Sequence, residues 1–527
     1  MLIGYVSDEK YLALCDVALE FVRGGESVAT RSRATGAVHA DLPPGDYSVA
    51  LQKPGFGPKR VELTVSDGMA PHHFRLLSDS LLGYIWPKWV RAGESAEFRL
   101  HSATPYKLEL FRYGLKREFI RAVGWFDEHG PRAVTQITPD GDYTRTGVEW
   151  NKHGFISAVH AQALTAPERT GFYYLHARNE AGEHFNFPWI VAPAKPTAKA
   201  AVLLCNINWN AYNNFGGRSN YIHADELPPV PTVYGRRELR RYTDRKHHAY
   251  AVTDYAPLSF ERPEPISHID SESTIDGPIE GRLASSTAAV EWRLLGWLER
   301  EGFAHDVYGE TQLHEGTLNL DDYDVVMTGA HPEYWSRKMY LELKDWVFNR
   351  GGKLMYLGGN GLNCEVEFPD AGTMVVRNEV CVGTTPPGTE SRMHKRLESE
   401  ANLLGVVYTD TGAMTGAPYR VVDATHWVFE GTGLGEGDIF GRESQHMRCF
   451  GGASGHETDK ISEHSPAGTH MLAKGLNVDN GGAEMVIHET ESGGAVWSAA
   501  SINWLSSLLV DGHVSQITAN VLRRFTA

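Results

Sequence analysis

The spacing of apolar residues changes at a short linker near residue 197, and this change constrains the fold more than any other feature. Residues 192–199 are small, polar and proline-bearing, as is typical of a linker. Before them the chain shows short, imperfectly alternating strands separated by turns, as at residues 42–46. After them, apolar runs at residues 200–205, 323–327 and 353–357 are separated by helical patterns. Strand, helix and strand at these lengths favour βαβ units.

The sequence therefore predicts a multidomain chain in which β modules precede a larger α/β domain. We expect a small β-sandwich over residues 1–78, similar to prealbumin-like modules, and a second β domain over residues 79–196. Residues 197–527 are expected to form a three-layer α/β catalytic domain with a mostly parallel sheet. One of its helices is expected to start after Ser336 and to stop at Gly351.

Charge and composition exclude several classes of partner. The chain has 527 residues, a formal net charge of −16 and a pI of about 5.8, which disfavours nucleic acid as a ligand. It has no apolar run near the ~20 residues that span a bilayer, and its start lacks the basic residues of a signal peptide. Five widely spaced cysteines without a C-x-x-C pair favour a reducing compartment. We therefore expect a cytoplasmic protein without nucleic-acid or membrane partners.

Polar clusters follow the predicted strands of the α/β region, where chemistry gathers in open sheets. His331 and Glu333 stand between the strand at residues 323–327 and the next helix. Tyr212 lies in an amide-rich loop directly after the first strand, and Asn360 lies in a glycine-rich turn after the third. Because these segments leave successive strands, we expect them to meet in one crevice.

Several segments together resemble the large subunit of N,N-dimethylformamidase. The segments that carry this resemblance are Asn210-Ala211-Tyr212-Asn213-Asn214-Phe215-Gly216-Gly217, Gly329-Ala330-His331-Pro332-Glu333-Tyr334-Trp335-Ser336, Leu357-Gly358-Gly359-Asn360-Gly361, Gly431-Thr432-Gly433-Leu434 and residues 501–504 and 520–525. The resemblance covers residues 200–527. It implies a metal-dependent amidohydrolase that cleaves the C–N bond of small N-substituted amides, such as dimethylformamide, with iron-activated water. It also implies a catalytic domain similar to class I glutamine amidotransferases.

The same resemblance implies a mononuclear iron site. Tyr212, Tyr255 and Glu333 are the implied ligands of Fe³⁺, with Tyr250 or Tyr242 as alternatives to Tyr255. Two phenolates and a carboxylate are hard anionic donors, which suit ferric iron better than zinc. Three protein ligands leave coordination positions open for water and a substrate carbonyl.

His331, Asn360 and Glu457 are the catalytic residues that the resemblance implies. His331 and Glu457 would move protons, and Asn360 would hold the substrate or the oxyanion. Cysteine-dependent amidotransferases carry their nucleophile at the turn after a central strand. Here that turn holds Asn360, and Cys364 lies beyond it. A covalent thioester route is therefore not expected.

Each candidate residue also has a structural explanation that the sequence leaves open. Glu333 could stabilise the N-terminus of the next helix, and Asn360 could serve a turn that needs a positive φ. His331 could be a buried core histidine, and Tyr212 a loop aromatic. Glu457 could be a surface carboxylate in a glycine-rich loop.

Partners and an alternative function complete the expectations. The resemblance implies a small helical subunit and a homo- or hetero-oligomer. The missing nucleophile also fits a non-catalytic ligand-binding protein on an amidotransferase-like fold, and a hydrolase that uses another metal is a further alternative. Basic residues 235–241 are expected to face solvent or another subunit, and the pair His247-His248 to be exposed.

Overall fold

The structure is a computed structural model of the chain, and it describes residues 1–126, 138–148, 150, 162–233, 254–281, 284–377 and 391–527. Some of the residues considered above lie outside the described residues, namely Tyr242, Tyr250, the pair His247-His248 and the basic residues 235–241. Their roles therefore stay predictions.

Two β-sheets in the first 78 residues share one apolar core. A three-stranded sheet has the order Ala37–His39, Leu2–Ser7 and His72–Arg75. A four-stranded antiparallel sheet has the order Glu26–Arg31, Ala18–Arg23, Gly45–Lys53 and Phe56–Val65. Side chains of both sheets, such as Val6 and Phe21, meet in the core between them. We call residues 1–78 the N-terminal β unit.

A second β region follows and is also built from two sheets. Its three-stranded sheet has the order Ala163–Thr165, Ser95–His101 and Leu82–Trp86. Its five-stranded sheet has the order Arg117–Phe126, Tyr106–Tyr113, Gly171–Asn179, His184–Ala192 and Trp89–Arg91. Both sheets contribute to one core that includes Phe98 and Trp189.

A nine-stranded mixed sheet forms the centre of the remaining chain. Its strand order is Asp306–Gly309, Ala200–Leu204, Val325–Thr328, Lys353–Tyr356, Ala495–Ser498, Glu484–Glu489, His470–Gly475, Tyr419–Val421 and Ile439–Phe440. The first five strands pair in parallel, and the pairings beyond Ala495–Ser498 are antiparallel. Ala200–Leu204 and Val325–Thr328 are buried along their whole length, as strands with both faces covered are.

Three smaller sheets involve segments that leave the nine-stranded sheet. One has four strands in the order Leu258–Ser259, Thr373–Arg377, Cys364–Asp370 and Tyr334–Trp335. The other two are antiparallel pairs, Val407–Thr409 with Thr458–Lys460 and Gly416–Ala417 with Ser454–Gly455.

Helices are few and mostly short in the described part of the chain. Three of them are 13 or 14 residues long, namely Ala288–Arg300, Arg337–Arg350 and Gly512–Phe525. The shorter α-helices are Tyr143–Thr146, Asn206–Tyr212, Glu310–Glu315, Met393–Arg396, Ala401–Leu404 and Asn503–Ser507. The 3₁₀ turns are Pro265–Ser267, Ala284–Ser286, Leu320–Asp322, Trp427–Phe429 and Val478–Asn480. Across the described ranges, every helix falls short of the length and apolar character that a membrane crossing requires.

The predicted three-layer α/β domain with a mostly parallel, amidotransferase-like sheet is wrong. Four of the nine strands in the central sheet join it through antiparallel pairings, and the described chain is rich in sheets and poor in helices. The prediction extended the strand–helix alternation of residues 200–357 to the end of the chain. Between residues 357 and 495, however, the described α-helices are single turns, so antiparallel strands take the place of crossover helices.

The local signals for one helix are confirmed. The Ser336 side chain accepts the N–H of Met339 at 3.3 Å and so caps the helix Arg337–Arg350. Gly351 ends that helix with a φ of 79°, a conformation that favours glycine.

A buried glutamate lies beneath the turns that leave the parallel strands. Glu291, in the first turn of Ala288–Arg300, accepts the N–H of Cys205 with both carboxylate oxygens at 3.2 Å. A Cβ on Gly329 would lie 2.3 Å from Glu291 Oε1, so only glycine lets that turn approach the carboxyl group. Burial raises the pKa of Glu291 to about 7. Glu291 therefore lies between the turns that follow two neighbouring strands, and it stays protonated to a higher pH than an exposed glutamate does.

Replacement of Glu291 by glutamine tests this arrangement, because the two proteins should differ in how their stability depends on pH. The folded-state pKa of about 7 lies above the ordinary value of 4.5, so the wild-type protein should lose stability relative to Glu291→Gln as the pH rises through this interval. Each pKa unit corresponds to about 1.4 kcal/mol. Thermal unfolding midpoints of both proteins, measured on either side of the interval, give the comparison. A difference that does not change with pH would contradict the buried neutral carboxyl group.

Candidate active site

Glu333 is the centre of a group of buried polar side chains. Its Oε2 accepts the hydroxyl of Tyr212 at 3.1 Å, and Oε1 and Oε2 lie 3.0 and 2.8 Å from the hydroxyl of Tyr221. His331 Nε2 lies 3.3 Å from Oε2, and Arg392 Nη1 lies 3.3 Å from Oε1. Glu333 and His331 are each 1% exposed. The carboxylate therefore depends on these side chains for the interactions that water would otherwise supply.

Two neighbouring parallel strands place Tyr212 and Glu333. Tyr212 is the last residue of the helix Asn206–Tyr212, which begins directly after the strand Ala200–Leu204. Glu333 follows the strand Val325–Thr328. Since these two strands pair in parallel, their carboxyl ends lie side by side. Residues that follow each strand are therefore delivered to the same place.

A loop between the two tyrosines brings Tyr221 back beside Tyr212. We call residues 213–220 the inter-tyrosine loop. The N–H of Asn220 donates to the C=O of Ala211 at 2.8 Å, which returns the chain to the end of the helix. The two tyrosine rings then lie 4.4 Å apart between centroids, and both hydroxyls reach the same carboxylate.

Glu457 and Asn360 extend the group on another side of His331. His331 Nε2 lies 3.2 Å from Glu457 Oε2, and Asn360 Nδ2 donates to the same oxygen at 3.0 Å. Asn360 has a φ of 51°, in the left-handed region. A Cβ on the preceding Gly359 would lie 2.4 Å from the C=O oxygen of Glu457. The glycine therefore allows two chain segments to approach closely, and the Asn360 amide is aimed at Glu457.

Asp459 stabilises the turn that contains Asn360. Its carboxylate accepts the backbone N–H of Asn360 at 2.8 Å and the hydroxyl of Tyr356 at 2.7 Å. Burial, with a further contribution from the Glu457 charge, raises the pKa of Asp459 to about 7. Asp459 thus positions Asn360 through the backbone.

Tyr221 and Tyr334 keep their protons in this environment. Their hydroxyls are 2.5 Å apart, and Asn220 Nδ2 donates to the hydroxyl of Tyr334 at 2.7 Å. Burial, and after it the charge of Glu333, raises the pKa of both phenols well above the usual value. The neutral Tyr221 hydroxyl donates a hydrogen bond to Glu333. A cation bound among these oxygens would have to displace that proton.

The structure brings together most of the residues singled out from the sequence. Those that belong to the group are Tyr212, His331, Glu333, Asn360 and Glu457. Tyr255 is buried in the apolar core, and the N–H of the next residue, Ala256, donates to the C=O of Ala224 at 2.9 Å. The assignment of Tyr255 as a ligand stays a prediction, while Tyr221 is the second tyrosine whose hydroxyl is seen on Glu333.

The structural alternatives for three residues can now be compared with their positions. Ser336, and not Glu333, caps the helix Arg337–Arg350. Glu457 is 5% exposed, so its interpretation as a surface carboxylate is wrong. The positive φ of Asn360 is confirmed, and the same residue also donates to Glu457, so the two interpretations hold together.

Sequence reasoning misses further members of the group, namely Tyr221, Tyr334, Arg392 and Asp459. Two of them have a local signal, because Tyr334 adjoins Glu333 and Asp459 lies two residues after Glu457. Arg392 has none, since it reaches Glu333 only through the fold.

The oxygen donors around Glu333 fit a hard cation. Two phenol oxygens, from Tyr212 and Tyr221, lie within hydrogen-bond distance of one carboxylate. Hard oxygen donors of this kind suit a highly charged cation better than a soft one. The donor set is thus compatible with the ferric iron that the resemblance implies.

A second group of side chains also has metal-like spacing. The ligand atoms of His184, His268 and Asp270 lie within 4.8 Å of one another. However, Nδ1 of His268 accepts the N–H of Asn186 at 3.0 Å, so its lone pair is already engaged. This surface group is therefore the weaker candidate for a metal.

Comparison with known proteins agrees with part of the expectation. A family model described as N,N-dimethylformamidase beta subunit-like, C-terminal, matches residues 118–516. The N,N-dimethylformamidase beta subunits of Alcaligenes sp. and Paracoccus aminophilus are each 26% identical over 439 residues. These alignments cover 69% of this chain and 53% of each relative, so the chain spans about half the length of the curated relatives it matches.

Solved structures add no argument about the fold. A β-galactosidase from Rahnella sp. R3 aligns with 45% of this chain and 27% of its own, at 12% identity and a TM-score of 0.28. The expected relationship to the large subunit, with its amidotransferase-like domain, is corrected here, because the matching family is that of the beta subunit. The match spans most of the chain, and on that basis the protein belongs to the N,N-dimethylformamidase beta subunit-like family.

Proposed function

We propose that this protein hydrolyses the C–N bond of a small N-substituted amide, with N,N-dimethylformamide as the first substrate to test. Membership of the dimethylformamidase family supports amide hydrolysis. The observation that carries the proposal is the group around Glu333, in which two phenols, the His331 imidazole and the Glu457 carboxylate converge. Such a group offers both cation ligands and proton carriers.

The burial of the group supports a small substrate. Tyr212 and Asn360 are each 4% exposed and Glu457 is 5% exposed. Tyr221 is only partly buried, so the group is most accessible from its side. A molecule of a few heavy atoms, such as dimethylformamide, suits this enclosure better than a polymer does.

We propose Tyr212 and Glu333 as ligands of a mononuclear Fe³⁺ ion, with either Tyr221 or Tyr255 as the second phenolate. When bound, such an ion supplies Lewis acidity toward the amide carbonyl and acidifies a water molecule that it holds. Arg392, with Nη1 3.3 Å from Oε1 of Glu333, orients the carboxylate.

His331 and Glu457 are the proposed proton carriers. His331 Nε2 lies 3.3 Å from Glu333 and 3.2 Å from Glu457, so the imidazole can take a proton near the first carboxylate and pass it to the second. Glu457 then delivers the proton to the leaving amine. The Asn360 amide donates to Glu457 at 3.0 Å, which fixes the orientation of that carboxyl group.

The relatives suggest an assembly for this chain. The proteins from Alcaligenes sp. and Paracoccus aminophilus are named as beta subunits. We propose that this chain also works within an oligomer, with a small helical subunit as the partner that the sequence resemblance implies.

Replacement of Glu333 by alanine tests the cation site. Glu333→Ala should lower both bound iron and dimethylformamide hydrolysis by more than about 100-fold, because it removes the donor that the other residues surround. Iron is measured by elemental analysis and activity by released dimethylamine. Glu365→Ala is a matched control, since Glu365 is a buried carboxylate that pairs with Arg337 and Arg396. Full iron content and normal turnover in Glu333→Ala would exclude the assignment.

The second phenolate is identified by a pair of phenylalanine variants. Ferric phenolate absorbs visible light, and a ligand tyrosine is required for that absorption. If Tyr221 is the ligand, Tyr221→Phe should weaken and shift the band while Tyr255→Phe leaves it unchanged. The reverse result assigns Tyr255. A colourless, iron-free wild-type protein that turns over amides would contradict both and point to another metal.

Replacement of Glu457 by glutamine tests the proton carrier. Glu457→Gln keeps the size of the side chain, so we expect iron content to stay normal while kcat falls by roughly 10² to 10⁴. Glu463→Gln, at an exposed position, is the control. Wild-type kcat in the Glu457 variant would remove this residue from the mechanism.

A further inference from the structure

The N-terminal β unit contacts the chain segment that joins Tyr212 to Tyr221. The family match begins at residue 118, so residues 1–78 lie outside it. Nevertheless, the unit forms hydrogen bonds with both the N–H and the C=O of one residue, Gly216, in the inter-tyrosine loop. The placement of that loop therefore depends on residues that precede the family region.

Arg75 is the side chain that makes the central contact. It lies at the end of the strand His72–Arg75 and is fully buried. Its Nη2 donates to the C=O of Gly216 at 2.8 Å and to the C=O of Asp8 at 2.8 Å, and Nη1 donates to the C=O of Gly141 at 2.9 Å. Burial of a guanidinium group is costly unless its donors are used. Here they bind three backbone carbonyls from three separate segments.

Two tyrosine rings confine the guanidinium group of Arg75. Its Cζ lies 5.1 Å from the ring centroid of Tyr11 and 4.2 Å from that of Tyr143. These cation–π contacts restrict the group to one position. The carbonyl of Gly216 therefore meets a donor that has little freedom to follow it if the loop moves.

The loop is also held by its own close packing against the N-terminal β unit. The N–H of Gly216 donates to the C=O of Glu9 at 2.6 Å. Gly216 and Gly217 both have a φ of 101°, and a Cβ on Gly217 would lie 2.4 Å from Cβ of Tyr11. Both the N–H and the C=O of Gly216 are thus bound, and the two glycines permit the backbone to approach.

A second anchor holds the chain just beyond Tyr221. The hydroxyl of Tyr11 donates to the C=O of Pro228 at 2.7 Å, and the N–H of Thr232 donates to the C=O of Tyr11 at 3.1 Å. The N–H of Ala13 donates back to the C=O of Thr232 at 2.8 Å. The N-terminal β unit therefore binds the chain at two places, at Gly216 within the inter-tyrosine loop and at Pro228 and Thr232 after it.

We propose that the N-terminal β unit is a positioning element of the active site, with Arg75 as its main positioning residue. Arg75 holds the inter-tyrosine loop so that Tyr212 and Tyr221, at its two ends, present both hydroxyls to Glu333. The consequence for catalysis rests on the proposed function, whereas the consequence for the loop does not. Two separate measurements therefore distinguish failure of one from failure of the other.

Hydrogen exchange of the full-length chain measures the loop directly. In Arg75→Met, the amides of residues 213–220 should exchange at least about tenfold faster than in the wild type, because their anchor is gone. Arg99→Met is the matched control, since Arg99 is also a buried arginine, lies in the second β region, and bonds Glu97 and Phe98 instead of the loop. Equal loop exchange in the Arg75 and Arg99 variants would overturn the proposal.

Amidase kinetics measure the consequence for the site. Arg75→Met should lower kcat by roughly 10- to 100-fold, as a small misplacement of reacting groups does. Arg75→Lys should recover part of kcat, because an ammonium group keeps the charge but lacks the planar set of donors. Unchanged kcat in Arg75→Met together with faster loop exchange would overturn the catalytic role. A wild-type protein without amidase activity would instead reject the proposed function.

A milder variant covers the case in which Arg75→Met does not fold. Tyr11→Phe removes one hydroxyl and leaves the ring over Arg75. Exchange should then increase mainly at Val230 and Thr232, the residues near Pro228 that carry an amide hydrogen, and less within the inter-tyrosine loop. If exchange changes neither in the inter-tyrosine loop nor near Pro228, the proposal that the N-terminal β unit holds this part of the chain is overturned.

Discussion

A buried carboxylate that depends on neighbouring side chains for its polar contacts organises the candidate active site of this protein. Glu333 is almost completely removed from water, and its oxygens face two phenols, an imidazole and a guanidinium group. A buried charge is tolerated only when donors surround it or a cation joins it. Each neighbour of Glu333 must therefore be held accurately, and the surrounding structure can be understood as the means of doing so.

That accuracy comes from several parts of the chain. The carboxyl ends of two paired parallel strands deliver Tyr212 and Glu333 to one place. Close backbone approach at Gly359 brings Glu457 beside His331, while the N-terminal β unit holds the loop that leads to Tyr221. The site thus joins segments that are far apart in the chain, since Arg75 and Gly216 are separated by 141 residues and Tyr212 and Glu333 by 121 residues.

Sequence reasoning works well where the signal is local. The cap at Ser336 and the stop at Gly351 follow from side-chain and φ preferences, and both are confirmed. His331, Glu333 and Asn360 are recognisable because they follow apolar strands at the point where chemistry gathers. The prediction of a mostly parallel sheet is wrong because the residues of a strand such as Glu484–Glu489 do not indicate which strand it pairs with, or in which direction. Parallel and antiparallel pairing depend on what the strand meets.

The sequence by itself determines which chemistry is available: phenols, carboxylates, a histidine and amides placed after apolar strands. Tertiary structure decides which of them meet. Arg392 and Tyr221 have no pattern that ties them to Glu333, yet both contact it, because contacts between distant segments are set by packing and loop closure and not by spacing along the chain. The same reason explains why a β unit outside the family region comes to hold the loop between two tyrosines.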